Sequence, residues 1–254
     1  DVPFYGRVGT PTTFAFETAM AELEGGHRAI ATASGVAAIS AVLLAFLNRG
    51  DHVLVVDTVY DPVRRFCTRM LTRMGIETTF YDPEIGADIA GLIRPETRLI
   101  YLESPGSGTF DVQDVPAIVA VAKARGIRTA IDATWATPLF YRPLEHGVDV
   151  SIHAATKYIV GHSDAMLGVI TTNAETYDAA RRSTQDLGAC AGVEECNLGL
   201  RGLRTLEVRL KRHESSALLL AEWLSAQPQI ARVLHPALPS CPGHALWRRD
   251  FDGA

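Results

Sequence analysis

The sequence predicts an α/β fold: a mostly parallel seven-stranded sheet sandwiched by helices, followed by the start of a smaller α/β C-terminal domain. Two observations carry this reading. From about residue 29 to residue 168, short apolar runs alternate with amphipathic stretches, the pattern of strands joined through crossover helices. Several of those runs, Val53-Leu54-Val55-Val56 and Leu99-Ile100-Tyr101-Leu102 among them, are too apolar to face water, as expected where helices cover both sheet faces. At 254 residues, 47% hydrophobic and 21% charged, the chain has the apolar material for such a core and not the composition of a disordered one.

Taken in order, the predicted strands are 28–32, 52–56, 77–81, 98–103, 128–132, 150–153 and 165–171. A helix follows the first strand, with helix periodicity from Ala37 to about Leu47. Asp61 and Pro62 open another, with an acidic cap and a proline at the first helical position, and Gly75 closes it. Asp114 and Pro116 start a third that runs to about Arg125 and stops at Gly126. Beyond Thr172 the pattern changes to long amphipathic helices over 174–187 and 202–225, the second rich in Arg, Lys and Glu. After Pro228, residues 229–234 read as a new strand. The organisation expected is therefore an N-terminal arm over 1–9, a large domain over 10–203, and an incomplete small domain over 204–254.

The charge balance of 24 basic against 29 acidic residues, net −5, leaves no basic stripe for nucleic acid. No apolar run reaches the length of a membrane span. The start at Asp1 carries no basic or apolar leader pattern, so a cytoplasmic protein is the default expectation. Cys67, Cys190, Cys196 and Cys241 are widely spaced without a CxxC pair, which argues for reduced thiols and against a metal site or disulfide framework.

Three features carry chemistry. Lys157 lies between a strand-like run and the turn Gly161-His162-Ser163-Asp164, in a region otherwise too apolar for the surface. An isolated lysine is usually a surface residue, but a desolvated one has a lowered pKa and can form a Schiff base. Asp132 ends the apolar strand 128–132, where ligands sit in α/β sheets, and a buried carboxylate there needs a cationic partner; a helix cap would serve equally well as its role. Ser34-Gly35-Val36 falls between a strand and a helix, so its N–H groups could cradle a phosphate or simply make a capped turn. An imine-forming lysine, a carboxylate for a pyridinium and a phosphate cradle are together the parts needed to hold pyridoxal phosphate.

At these residues the sequence resembles the cysteine and methionine metabolism family of pyridoxal-phosphate enzymes. The run from Asp149 through Lys157 to Ser163 resembles the family's cofactor-attachment signature along its whole length. It is joined in order by Tyr5-Gly6-Arg7, Glu22-Leu23-Glu24-Gly25, Ser34-Gly35, Gly50-Asp51-His52-Val53, Tyr60, Glu103-Ser104-Pro105 and Asp132-Ala133-Thr134-Trp135. The runs 103–107, 161–166, 201–205 and 235–239 look most like the family's bacterial β-lyase branch.

The resemblance implies fold type I, with Lys157 binding the cofactor as a Schiff base and moving the substrate proton. It implies Asp132 at the pyridine nitrogen and Tyr60 stacked on the ring, with a part in catalysis. Gly35, Val36 and Thr156 are implied at the phosphate, reached by Tyr5 and Arg7 from a neighbouring subunit, so that the site needs a dimer and a homotetramer is expected. The reaction implied is β-elimination of L-cystathionine to homocysteine, pyruvate and ammonia, in methionine biosynthesis and transsulfuration. A γ-acting relative, or a cofactor-binding fragment without turnover, is the alternative. Two departures stand out: Ala154 replaces a serine found in many relatives near the phosphate, and Ser107 stands where γ-acting relatives often have asparagine. Arg248 and Arg249 do not match the family's late arginine for the substrate carboxylate, and the chain is expected to stop before that motif.

Overall fold

A computed structural model describes residues 5–253. Residues 1–4 of the expected N-terminal arm lie outside the described residues.

Helix α1 (Pro11–Glu24) is set by its ends: the Thr10 hydroxyl accepts from the Thr13 N–H at 3.2 Å, proline takes the first turn, and Gly25 stops it in the left-handed region at φ 67°. The chain then builds β1 (Arg28–Thr32), α2 (Gly35–Phe46), β2 (His52–Val56), α3 (Asp61–Phe66), β3 (Glu77–Tyr81) and β4 (Thr97–Glu103). It continues through α4 (Val115–Ala124), β5 (Arg128–Asp132), α5 (Thr137–Phe140), β6 (Val150–His153), β7 (Gly168–Thr172) and α6 (Tyr177–Asp186). Three helices close it: α7 (Val193–Leu203), α8 (Leu206–Ser225) and α9 (His244–Asp250).

The sheet order is β1-β7-β6-β5-β4-β2-β3. Strand β7 runs antiparallel to both β1 and β6, and every other pairing is parallel. The carboxyl ends of β1, β2, β4, β5 and β6 therefore meet the start of β7 along one edge. One face of the sheet buries Val55, Tyr101, Ile152 and Ile170 in a core cluster with Val42 and Leu43 of α2. The other packs Ala29, Ala31 and Val169 under Phe16 and Met20 of α1. Each such fully buried large side chain is worth roughly 1.5–3 kcal/mol, so both faces hold the carboxyl edge rigid.

Some expectations change. Residues 229–234 form no strand: among the described residues no second strand lies there to satisfy a ladder, and Ile230 is 39% exposed. The helix expected over 202–225 is broken after Leu203 and resumes at Leu206. Gly202, inside the last turn of α7, lets that helix seat against the backbone: a Cβ there would lie 2.0 Å from the Ile159 carbonyl oxygen. The strand expected from 165 begins at Gly168, and the helix opened by Asp61 passes through a π turn over Cys67–Leu71 before Gly75 ends it. Helix α9 packs back on the main core, where Phe251 stacks on Tyr141 at 4.3 Å and Arg249 pairs with Asp114 at 2.8 Å. The cysteines are free thiols, with Cys190 exposed and the other three buried. No helix among the described residues is long and apolar enough to cross a membrane.

Candidate active site

The carboxyl edge gathers the chemistry. Asp132 closes β5 directly beside Glu103, the last residue of β4, and beside Ile152 of β6. Its side chain is buried and its Oδ1 accepts from the Thr134 N–H at 3.0 Å. Burial pushes the Asp132 carboxyl above its ordinary range, with the turn hydrogen bond from Thr134 working against it. Among the described residues no cation forms an ion pair with Asp132, and the positive charge it feels from the protein is that of His153 on β6. A protonated ring nitrogen brought by a ligand fits this unpaired charge.

The turn from β1 into α2 lies on the same edge. Ser34 caps the helix by accepting from the Ala37 N–H at 3.1 Å, which leaves the N–H groups of Gly35 and Val36 without a partner among the described residues. Two unpaired donors at the positive end of a helix suit a phosphate. Glycine is required here by space: a Cβ on Gly35 would sit 2.8 Å from the Cβ of Ala154 and 3.1 Å from its Cα. Ala154 is in turn held by its N–H donating to the Thr134 hydroxyl at 2.8 Å, so the β6 loop, the Asp132 turn and the helix end are one unit. Gly35→Ala is expected to cost about 1–3 kcal/mol through this clash and to weaken pyridoxal phosphate binding. Thermal melting and a cofactor titration of the apoprotein check both.

Lys157 follows on the β6 loop, its N–H donating to the Ala154 carbonyl at 3.0 Å and its own carbonyl accepting from Gly161 at 2.8 Å. The expectation of a desolvated lysine is corrected: Lys157 is exposed, because the loop opens on the uncovered edge of the sheet. Thr156, next to it, has its hydroxyl engaged by Leu167, donating to the carbonyl at 3.1 Å and accepting from the N–H at 2.9 Å. Tyr60 stands at the start of α3 and is 44% exposed. Among the described residues, neither Tyr5 nor Arg7 is bonded to Asp132, Lys157, Gly35 or Val36. Arg7 lies 5.4 Å from the Tyr5 ring and donates to the Gln185 carbonyl at the end of α6.

Two groups that the sequence reading did not single out lie here. Glu103 accepts from the Tyr60 N–H at 2.8 Å and from the Ser107 hydroxyl at 2.5 Å. His153, at the end of β6, meets Glu24 of α1 at 2.8 Å with both side chains fully buried. Their signal in the sequence was a charged residue closing an apolar strand, the same signal that marked Asp132. A separate cleft of about 730 Å³ lies at the opposite edge, but its Asp149 is already matched by Thr129 and Asn173.

The family model described as the Cys/Met metabolism PLP-dependent enzyme matches residues 2–254. The chain belongs to this family. Its cofactor is therefore pyridoxal phosphate, which the unpaired Asp132 and the free Gly35 and Val36 donors fit. The chain is 52% identical over 98% of its length to a putative cystathionine beta-lyase of Rhizobium johnstonii. It is 47% identical over 99% of its length to cystathionine beta-lyase MetC of Escherichia coli. The crystal structure of metB from Corynebacterium glutamicum superposes with a TM-score of 0.96 at 31% identity, covering 99% of this chain and 66% of that one. The chain spans 63% of the Rhizobium relative and 64% of the E. coli one.

Proposed function

We propose that the protein is a carbon–sulfur lyase that performs β-elimination on L-cystathionine, yielding homocysteine, pyruvate and ammonia. The observation that carries the chemistry is the buried Asp132, without an ion pair of its own, on the same sheet edge as Lys157 and the open N-terminus of α2. The choice of β-cleavage over a γ-acting reaction rests on the relatives named as cystathionine beta-lyases.

When bound, pyridoxal phosphate supplies an electron sink for negative charge at the substrate Cα. Asp132 holds the proton on the ring nitrogen by its charge. Gly35 and Val36 donate their N–H groups to the phosphate, and Thr156 contributes there if its hydroxyl leaves Leu167. Lys157 anchors the cofactor and, once free, its amine takes the Cα proton. Tyr60 covers the ring face and assists the departing thiolate. Tyr5 and Arg7, neither of them bonded to its own Lys157, serve the site of a neighbouring copy, so the working form is a homo-oligomer, a dimer at least and a tetramer by family likeness. We place it in the cytoplasm, with residues 204–254 as the first part of a small domain.

Product analysis tests the reaction. Incubation of the cofactor-loaded protein with L-cystathionine is expected to release pyruvate; 2-oxobutyrate in its place would assign γ-cleavage.

A further inference from the structure

We infer that Glu103 and Ser107 form a clamp that positions Tyr60 beside Asp132, with Glu103 as its centre and the Ser107 hydroxyl spent on that carboxyl. The inference rests on the proposed reading of Tyr60 as an active-site residue.

The Tyr60 ring has no aromatic or hydrogen-bonding partner among the described residues. Its place is therefore decided by its backbone. That backbone is held from β4: Glu103 Oε2 accepts from the Tyr60 N–H at 2.8 Å, while Oε1 meets the Ser107 hydroxyl at 2.5 Å. The same two segments are tied a second time, since the Ser107 N–H donates to the Thr58 carbonyl at 2.9 Å. Gly106 lets them close, because a Cβ on it would lie 2.4 Å from the Thr58 hydroxyl oxygen. Residues 58–60 thus have nowhere to move while Glu103 keeps both bonds.

Glu103 is buried and register-paired with Asp132, so two carboxyls share a water-poor edge. Burial first, and then the neighbouring Asp132, pushes the Glu103 carboxyl up to about 8. The titratable groups facing it are Asp132 on β5 and Tyr101 on β4, and Asp132 in turn feels His153 on β6. In the neutral form Glu103 keeps an oxygen for Tyr60 and its O–H can turn to Ser107, so both contacts survive protonation.

A double-mutant cycle on the cofactor-loaded protein tests the clamp. Glu103→Ala and Ser107→Ala are each expected to lower kcat/KM about tenfold, the cost of a hydrogen bond to a buried group, and to weaken cofactor binding to the apoprotein in a spectroscopic titration. In a Tyr60→Ala background both effects should shrink to less than about twofold, because the residue they act through is gone. Glu103→Gln, which keeps the acceptor and a donor but cannot titrate, should stay within about twofold of wild type at pH 7 and lose the transition near pH 8 in the pH profile. Full additivity with Tyr60→Ala, or a Glu103→Gln variant as damaged as Glu103→Ala, would overturn the clamp. If Glu103→Ala does not fold, Ser107→Ala and Glu103→Gln carry the test. Wild-type protein that binds no pyridoxal phosphate would instead sink the functional reading itself.

Discussion

Replacing Lys157 with alanine is expected to abolish covalent retention of pyridoxal phosphate and to cut turnover by at least about 10²–10⁴-fold, the usual share of a positioned acid–base group. The fold should be indifferent. Lys157 is exposed, and the bonds that fix its loop, from its N–H to Ala154 and from Gly161 to its carbonyl, are made by backbone and survive the substitution. Surface changes of this kind usually fall within about ±0.5 kcal/mol, so an unchanged melting curve is part of the prediction. The measurement is the visible absorbance of purified protein, with pyruvate release alongside. A variant that keeps the wild-type spectrum and turnover would mean that another amine does the work. The exposure of Lys157 also has a consequence for its chemistry: dry surroundings for its amine are not made by this chain's own packing. They have to come from what covers the carboxyl edge, meaning the cofactor, the substrate or a neighbouring copy.

The sheet was legible wherever an apolar run was bounded by polar residues. Arg28, His52, Glu77, Arg128 and Val150 each open a strand at the expected position, and five strands match end to end. The reading failed where propensity had no partner: residues 229–234 look like a strand, but a strand exists only through a ladder, and that is a tertiary fact. Helix α1 was missed although Thr10, Pro11 and Gly25 mark both its ends, because its buried face mixes Phe16, Met20 and Ala21 with Thr13, Glu17 and Glu24 and shows no clean apolar stripe. For the site, Lys157, Asp132, Gly35 and Val36 were legible as separate pieces, and the topology brings them to one edge. Glu103 and His153 were present in the quoted motifs without a role. Their partners, Tyr60 and Glu24, are 43 and 129 residues away in sequence, a separation over which no spacing argument reaches.

The second large effect is on stability and belongs to Glu24 and His153. Glu24 ends α1 and points into the sheet, where Oε1 meets His153 Nε2 at 2.8 Å and also receives the Ser151 hydroxyl. Burial alone would raise the Glu24 carboxyl, but the charge and hydrogen bonds of His153, Ser151 and Thr171 outweigh it, so it titrates below its ordinary 4.5. Burial alone would lower His153, but Glu24 and then Asp132 outweigh it, so the imidazole titrates above its ordinary 6.5. The sign of the pH dependence follows. The lowered Glu24 stabilises the fold above about pH 4.5 and loses this as pH falls through its folded value; the raised His153 stabilises it below about pH 6.5 and loses this as pH rises through its folded value. Both terms are complete only between those limits. Glu24→Leu leaves a buried imidazole without its carboxylate and is expected to cost about 3–5 kcal/mol, the scale of breaking a buried pair, which is a melting temperature lower by roughly ten degrees. The gap to wild type should be wider at pH 5.5 than at pH 9, where His153 is less protonated and the pair counts for less. A gap of the same size at both pH values would mean that the pair is held as a neutral hydrogen bond. Removing both partners in Glu24→Leu/His153→Leu should recover part of the loss, because an apolar pair carries no desolvation cost. The carboxyl edge then depends on α1 through charge as well as packing: His153 closes the strand beside Asp132, and its pairing with Glu24 sustains the positive charge that Asp132 feels.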